Sequence, residues 1–578
     1  MKKQKIQSLS AICMVAAIGL TGCSGLSKMA KDANKISYSV TPNPMQDNGD
    51  SVDVNIVAKY PAKYFSKKAI VTVVPALKLS DGTEQPLKSV TLIGEKAAGS
   101  GIKINYEQGG RLNYNDKVAY VPSMKVDELY IDATLENDNK KFPAIKIADG
   151  TITTAKLLQH DDKVILGKDD FKKTIPERDT SHIYYAISQS HVRPMEMRSK
   201  EMKEFKEFVE KGIKDEFKFN EVGISAYASP DGPSRFNDKL AKDRANTAIA
   251  AMRGLFREMN TRKCNTKFGS EKSFYTVGTT GMDWDGFKKL VEESNLKDKE
   301  IILRVLSMYA DHDQRMKELK ALSATYVKLA GDVLPKLRRS VIVLNAEKRS
   351  PTDEQLKSLV SSDPGSLTVE ELLYAATLTN DMNQKFSIYK TAAKQYPNDW
   401  RCPNDMGYIE VMQNNLSDAR MEFQKADQLS SNNPIVQNNL GVIAHLNGNR
   451  KEAMKYFESA TSAGPDVAYN IGLLDIQNGN YSEAVTNMGS FNTFNSALAK
   501  VLNNDPQGGK STLDASNDDG AIAYYLKAII AARTNNKPEM ITDLKEAVNK
   551  DASLKQQIKT DCEFIKYRTD ADFKSITE

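Results

Sequence analysis

The chain has 578 residues, 27% of them charged and 40% hydrophobic, with 80 Lys and Arg against 75 Asp and Glu for a formal charge of +5. A nearly balanced chain excludes the basic field that nucleic-acid binding needs, and the length predicts about four domains. Five cysteines, spread widely, give neither a disulfide framework nor a metal-ligand spacing.

At the N-terminus Lys2, Lys3 and Lys5 precede an apolar run, Leu9–Leu20, which ends in Leu20-Thr21-Gly22-Cys23. A basic start, an apolar stretch too short to span a bilayer and small residues before a cleavage point describe a secretory signal, residues 1–22. The placement of Cys23 resembles a bacterial lipobox, which implies cleavage before that residue and its acylation. Losing three lysines and no acid with the signal leaves +2. Several acyl chains on one residue anchor stably where a single chain does not. Residues 24–28 carry no aspartate after the cysteine and no acidic run. The expected address is therefore the periplasmic face of the outer membrane, with residues 23–36 as a tether.

Residues 37–160 read as β. Val52, Val54 and Ile56 alternate with more polar neighbours, as do Ile102, Ile104 and Tyr106, and Leu129, Ile131, Ala133 and Leu135. Ile70–Val74 and Val90–Ile93 are compact β-branched runs between turn signals such as Asp81-Gly82 and Gly109-Gly110. Many short strands in this span predict an antiparallel, immunoglobulin-like sandwich.

From 223 to 244 a short strand runs into Ser229-Pro230-Asp231-Gly232-Pro233 and then a helix. Pro233 suits a first helical position. Leu240, Arg244 and Ala248 recur every four residues, so Arg244 lies on the face leaning back toward the strand end, beside a helix N-terminus that favours anions. Asn237, Leu240 and Arg244-Ala245 stand eight, eleven and fifteen residues after Ser229. This register resembles the peptidoglycan-binding C-terminal domain of the OmpA family. The resemblance spans 165–348, with His182–Ser188 as first strand and Lys336–Asn345 as the closing one. It implies an α+β fold in which an aspartate and Arg244 grip the diamino acid of the peptidoglycan stem peptide. Ser229 replaces that aspartate, and Asp231 is the nearest carboxylate. A helical insertion is expected at 283–334.

Residues 349–366, with two prolines, read as a linker to 367–578. There Tyr389, Phe423 and Phe457 are 34 apart, as are Ala392, Ala426 and Ala460; Gly407 and Gly441 precede Ala419 and Ala453 by twelve. The pattern resembles the tetratricopeptide repeat, in which small residues let two helices cross while an aromatic fills the gap. That implies an α-helical solenoid whose concave surface receives another protein. Asn404, Asn438, Asn439 and Asn470 are the candidates to line it.

None of the five histidines stands in an H-E-x-x-H arrangement, and no G-x-S-x-G elbow occurs. Gly508–Thr512 imitates a phosphate loop without its first glycine, and Asp311-His312-Asp313 reads as a solvated helix face. No enzyme activity, cofactor or metal is expected. The expected function is a non-enzymatic outer-membrane lipoprotein that holds peptidoglycan through its OmpA-like domain and an envelope protein through its repeats. The alternative is a scaffold subunit of a secretion, outer-membrane biogenesis or fimbrial machine that has lost wall binding.

Overall fold

The computed structural model describes residues 24–137, 139–263 and 268–578; the signal segment, Cys23 and Cys264 lie outside the described residues. It divides into two units, one joining the chain up to Gly167 with Tyr396–Glu578, the other Lys168–Gln395. The repeat region expected as one body from 367 is thus divided at Gln395. No described helix is long and apolar enough to cross a membrane.

In the first unit the expected tether is folded. Ser24–Lys31 is a helix, Met29 sits in the core of the β domain, and Tyr64 Oη donates to its carbonyl at 3.0 Å. Strands Ser37–Val40, Ser51–Tyr60 and Gly110–Ala119 form an antiparallel sheet. Along Ser51–Tyr60 the buried positions are Val52, Val54, Ile56, Ala58 and Tyr60, the period-two face of a strand covered on one side. A second sheet centres on Ile70–Leu79, flanked by Asp127–Leu135 and Val90–Gly94. Ile56 and Tyr114 share one core with Val71, Val73 and Leu129, so the two sheets form a sandwich. The wholly antiparallel expectation fails at Ile102–Ile104, which pairs parallel to Val90–Gly94. Gly101 permits this approach, since a Cβ there would lie 2.7 Å from the Thr91 carbonyl.

The array in this unit consists of helix pairs Arg401–Met412 with Leu416–Leu429, Pro434–Leu446 with Arg450–Ser459, Pro465–Asn478 with Tyr481–Asn487, Phe494–Leu502 with Pro506–Ser516, and Ala521–Arg533 with Lys537–Lys550. A Cβ on Gly407 would meet the Phe423 ring at 2.6 Å, and one on Gly441 the Phe457 ring at 2.6 Å. Glycine is required there because the ring fills the helix crossing. Residues 503–519 contain the helix Pro506–Ser516, capped by Asp505 accepting from Gly508 N at 2.8 Å. Lys510 of the phosphate-loop imitation lies in that helix and pairs with Glu539. The sandwich meets this array: Ala155 enters the array core, and Thr154 Oγ1 donates to Glu563, which Arg533 Nε holds at 3.0 Å.

The second unit is built on a four-stranded sheet in the order Thr174–Tyr184, Arg339–Arg349, Lys218–Ala228, Tyr275–Met282. The first two pairings are antiparallel and the last is parallel. Helices Lys200–Lys214 and Ser234–Lys263 contribute Phe205, Ala248, Met252 and Phe256 to a core with Ile183, Ile224 and Leu344. The insertion folds as four helices, Trp284–Glu292, Lys299–Met308, His312–Ala321 and Ala324–Asp332, around its own core of Phe287, Ile302, Leu319 and Leu329. The expected linker is largely a helix, Asp353–Ser362. Thr352 and Gln355 satisfy each other's backbone N–H groups at its start, so the Pro/Ser-rich flanks bound a helix instead of a loose spacer.

Candidate functional site: a groove filled by the chain itself

The concave face of the array holds a peptide, and that peptide is residues 159–167. Its odd-numbered members bond to successive helices. Gln159 N donates to Asn495 Oδ1 at 2.9 Å, and its carbonyl accepts from Asn495 Nδ2 at 2.8 Å. Lys163 N donates to Asn470 Oδ1 at 2.7 Å, and its carbonyl accepts from Asn470 and Asn438, both at 2.9 Å. Ile165 N donates to Asn439 Oδ1 at 2.8 Å, and its carbonyl accepts from Asn439 at 2.8 Å and Asn404 at 3.1 Å. Gly167 N donates to Asp405 Oδ1 at 2.6 Å. A two-residue alternation of this kind is that of an extended chain.

The carboxamide suits the task because it presents one acceptor and two donors, matching one backbone N–H and one C=O. The side chains also bond to each other: Asn470 to Asn438 at 2.9 Å, Asn438 to Asn439 at 3.0 Å and Asn439 to Asn404 at 2.9 Å. All four predicted groove asparagines are buried, their polar atoms committed to the threaded segment and to one another. Asp405, Asn439 and Asn470 each stand two residues before the crossing glycine of their helix, Gly407, Gly441 and Gly472. The repeat period therefore sets the ladder. Even-numbered residues turn elsewhere: Val164 packs among the clusters around Phe423 and Phe457, and Asp162 meets His445.

Asp405 is the odd member, a carboxylate where its neighbours have amides. Burial pushes its carboxyl up to about 7. The folded chain then retains a proton that the unfolded chain, titrating near 4, releases, so stability falls as pH rises from about 4 to about 7. Asp405→Asn is expected to remove that slope and to stabilise the first unit at pH 8 by about 2–4 kcal/mol. Urea unfolding of variant and wild type at pH 5 and pH 8 checks this; an equal gap at both pH values would refute it.

The other predicted site lies in the second unit. Arg244 is fully buried. Its Nε donates to Gln189 O at 3.0 Å, Nη1 to Tyr227 O at 2.7 Å and Nη2 to Ala186 O at 3.3 Å, with the guanidinium carbon 4.9 Å from the Tyr185 ring centre. Burial pushes its pKa down to about 10. The expectation of a fork open to a ligand carboxylate is corrected: the helix carries Arg244 under the 186–189 turn, whose carbonyls, with that of Tyr227, take its donors. Asn237 Nδ2 donates to Ser229 O and Gly232 O, both at 3.0 Å, and ties down the turn. Ser229 Oγ donates to Asp231 and accepts from Arg338 Nε at 3.1 Å, while Arg338 also pairs with Asp231 at 3.5 Å. The insertion leans on the same turn, where His312 Nε2 donates to Gly232 O at 3.0 Å. His312 also packs edge-on to Trp284, ring centres 5.7 Å apart, and is mostly buried; the solvated face expected for it is corrected.

Sequence reasoning missed the occupant of the groove, which falls between the expected domains 37–160 and 165–348, and missed Asn495 and Asp405. The offset of Asp405 from Gly407, equal to that of Asn439 from Gly441, was the available signal. It also missed His160, Asp162 and His445, whose potential ligand atoms lie within 4.8 Å of one another.

No family model matches the chain, and no curated protein matches it. Among solved structures, it is similar to a tetratricopeptide repeat protein from Parabacteroides merdae at 14% identity and TM-score 0.28, covering 42% of this chain and 97% of that one. PilF of Pseudomonas aeruginosa gives 14% identity and TM-score 0.28 over 39% of this chain and 97% of its own. YrrB, a TPR protein with an unusual peptide-binding site, gives 15% and 0.22 over 36% and 97%. At such scores the likeness carries no argument of its own. The TPR-like character of the C-terminal region stands on the paired helices, their crossing glycines and the ladder of side chains across the groove.

Proposed function

We propose that the protein is a non-enzymatic scaffold subunit of a Gram-negative envelope assembly, held by acyl chains on Cys23 at the periplasmic face of the outer membrane. The observation that carries the reading is the filled groove. A repeat array that threads its own linker has its peptide-binding surface committed to building a body in which sandwich, linker and helices are one. A recruited protein then meets the outer faces of the array or the helical insertion.

The second unit is proposed to be an OmpA-type domain that packs without gripping peptidoglycan. Support for the type comes from the sheet order, with the chain's first strand beside its last and its second and third strands parallel, and from Asn237, Leu240 and Arg244 in the family register. Support for lost wall binding comes from Ser229 in place of the aspartate and from the donors of Arg244, all directed at backbone carbonyls. A membrane anchor close to the sandwich fits the folded Ser24–Lys31 helix, whose Met29 is packed only six residues after Cys23.

Two measurements test this. Purified full chain is expected to stay in the supernatant when isolated sacculi are pelleted, and in-cell crosslinking is expected to give one stoichiometric protein partner. Saturable pelleting that a diamino-acid stem peptide competes away, with no protein crosslink, would replace this reading by the wall-linker one.

A further inference from the structure

We propose that His160, Asp162 and His445 form a site for a divalent transition-metal ion, Zn²⁺ first among them, which clips the threaded segment to helix Pro434–Leu446. Two of the three ligands come from the segment and one from the helix, so a bound ion joins two parts of the chain 283 residues apart.

The local chemistry asks for a cation. His445 Nε2 lies 3.1 Å from Gln477 Oε1, an acceptor, so that nitrogen carries the proton. Nδ1 of the neutral ring then presents a lone pair, and it faces Asp162 Oδ1, another acceptor, at 2.5 Å. Something positive must lie between them, a proton or a metal ion. The side chains of both residues are almost wholly buried, 1% and 2% exposed. Asp162 Oδ2 is buried too and has no hydrogen-bond partner among the described residues. A proton on His445 would answer one carboxylate oxygen and leave the other bare; a metal ion can engage either. The third donor, His160, is exposed and sits beside His445 with ring centres 5.7 Å apart.

The arrangement has the features of a metal centre and a way in. A ligating histidine usually donates its other N–H to a carbonyl or carboxylate, which fixes ring and tautomer, and Gln477 occupies that place. Donors at 2.0–2.2 Å from a tetrahedral ion stand about 3.4 Å apart. The Asp162–His445 contact therefore opens by about 1 Å on binding. Two imidazoles and one carboxylate suit zinc, nickel or copper, whereas magnesium and calcium take oxygen sets. The site opens on a cavity of about 870 Å³ lined by His160, His445, Asp50, Arg450 and Glu452, where Arg450 is already paired with Asp50 at 2.5 Å. Solvent fills the remaining coordination positions through that opening.

The test uses full chain without a histidine tag. Calorimetric titration with Zn²⁺ is expected to give one ion per chain, and Co²⁺ to give visible ligand-field bands. His160→Ala removes an exposed side chain, so the fold stays intact; it is expected to weaken Zn²⁺ binding about tenfold or more and to abolish the cobalt bands. Asp162→Asn is expected to do the same. Zn²⁺ is also expected to slow tryptic cleavage after Lys163 in the wild type and not in His160→Ala. Absence of binding at millimolar metal, or unchanged affinity in both variants, overturns the site. Binding without protection of Lys163 overturns the clip.

Discussion

Replacing Asn438, Asn439 and Asn470 together by alanine is expected to release residues 159–167 from the groove and to make Lys163 a rapid trypsin site. In the wild type the Lys163 carbonyl is held by two asparagines and its N–H by one of them, so the peptide bond enters a protease cleft only when the segment transiently leaves the groove, and cleavage there is slow. The three side chains make eight hydrogen bonds, so at about 0.5–1.5 kcal/mol net for each the triple variant forfeits roughly 4–12 kcal/mol if the segment stays in place. Release lowers that figure, because water then hydrates the freed backbone. Either way the loss is a large fraction of ordinary domain stability. Limited proteolysis with mass-spectrometric mapping, alongside thermal unfolding, reads both consequences. An unchanged midpoint with no new cut at Lys163 would mean that the ladder does not hold the segment.

The experiment also separates two roles of an asparagine-lined groove. If the ladder serves chiefly to build the first unit, the triple variant weakens the whole unit, sandwich included, since Ala155 and Thr154 join the array just before the segment enters the groove. If it serves chiefly to receive a foreign peptide, the unit keeps its midpoint and only the linker becomes labile.

What the sequence made legible follows from the range of the interactions. Helix crossings repeat every 34 residues because Gly407 and Gly441 must let Phe423 and Phe457 in, and such short-range constraints leave a period. The alternation of Val52, Val54 and Ile56 marks a strand for the same reason. The helix Asp353–Ser362 was legible in Thr352-x-x-Gln355 and was obscured by the prolines around it. The threaded segment left no such mark. Its partners lie between 238 and 336 residues away, and a chain that bonds through its backbone imposes little on its own side chains. Asn404, Asn438, Asn439 and Asn470 could be placed on a groove face by their offset from the glycines, yet nothing local says that the occupant is the same molecule. His160, Asp162 and His445 are separated in the same way.

Arg244→Ala is expected to destabilise the second unit by about 3–5 kcal/mol, the range for breaking one side of a buried charged network. The change takes a charged donor from the carbonyls of Ala186, Gln189 and Tyr227, of which Ala186 O keeps the Gln189 N–H at 3.2 Å, and leaves the volume of a large side chain unfilled against the Tyr185 ring. Arg244→Lys is expected to fall between, because an ammonium on a flexible stem is a point donor and cannot span three carbonyls as a planar fork does. Thermal unfolding followed by a probe within Lys168–Gln395 distinguishes the cases. A ligand-gripping arginine would behave in the opposite way: its alanine variant would fold within about 1 kcal/mol of wild type, as surface substitutions do, and lose only binding. For this reason a loss of wall binding in Arg244→Ala is uninformative unless the variant is first shown to be folded, whereas an undiminished midpoint would by itself remove the structural role assigned to this side chain.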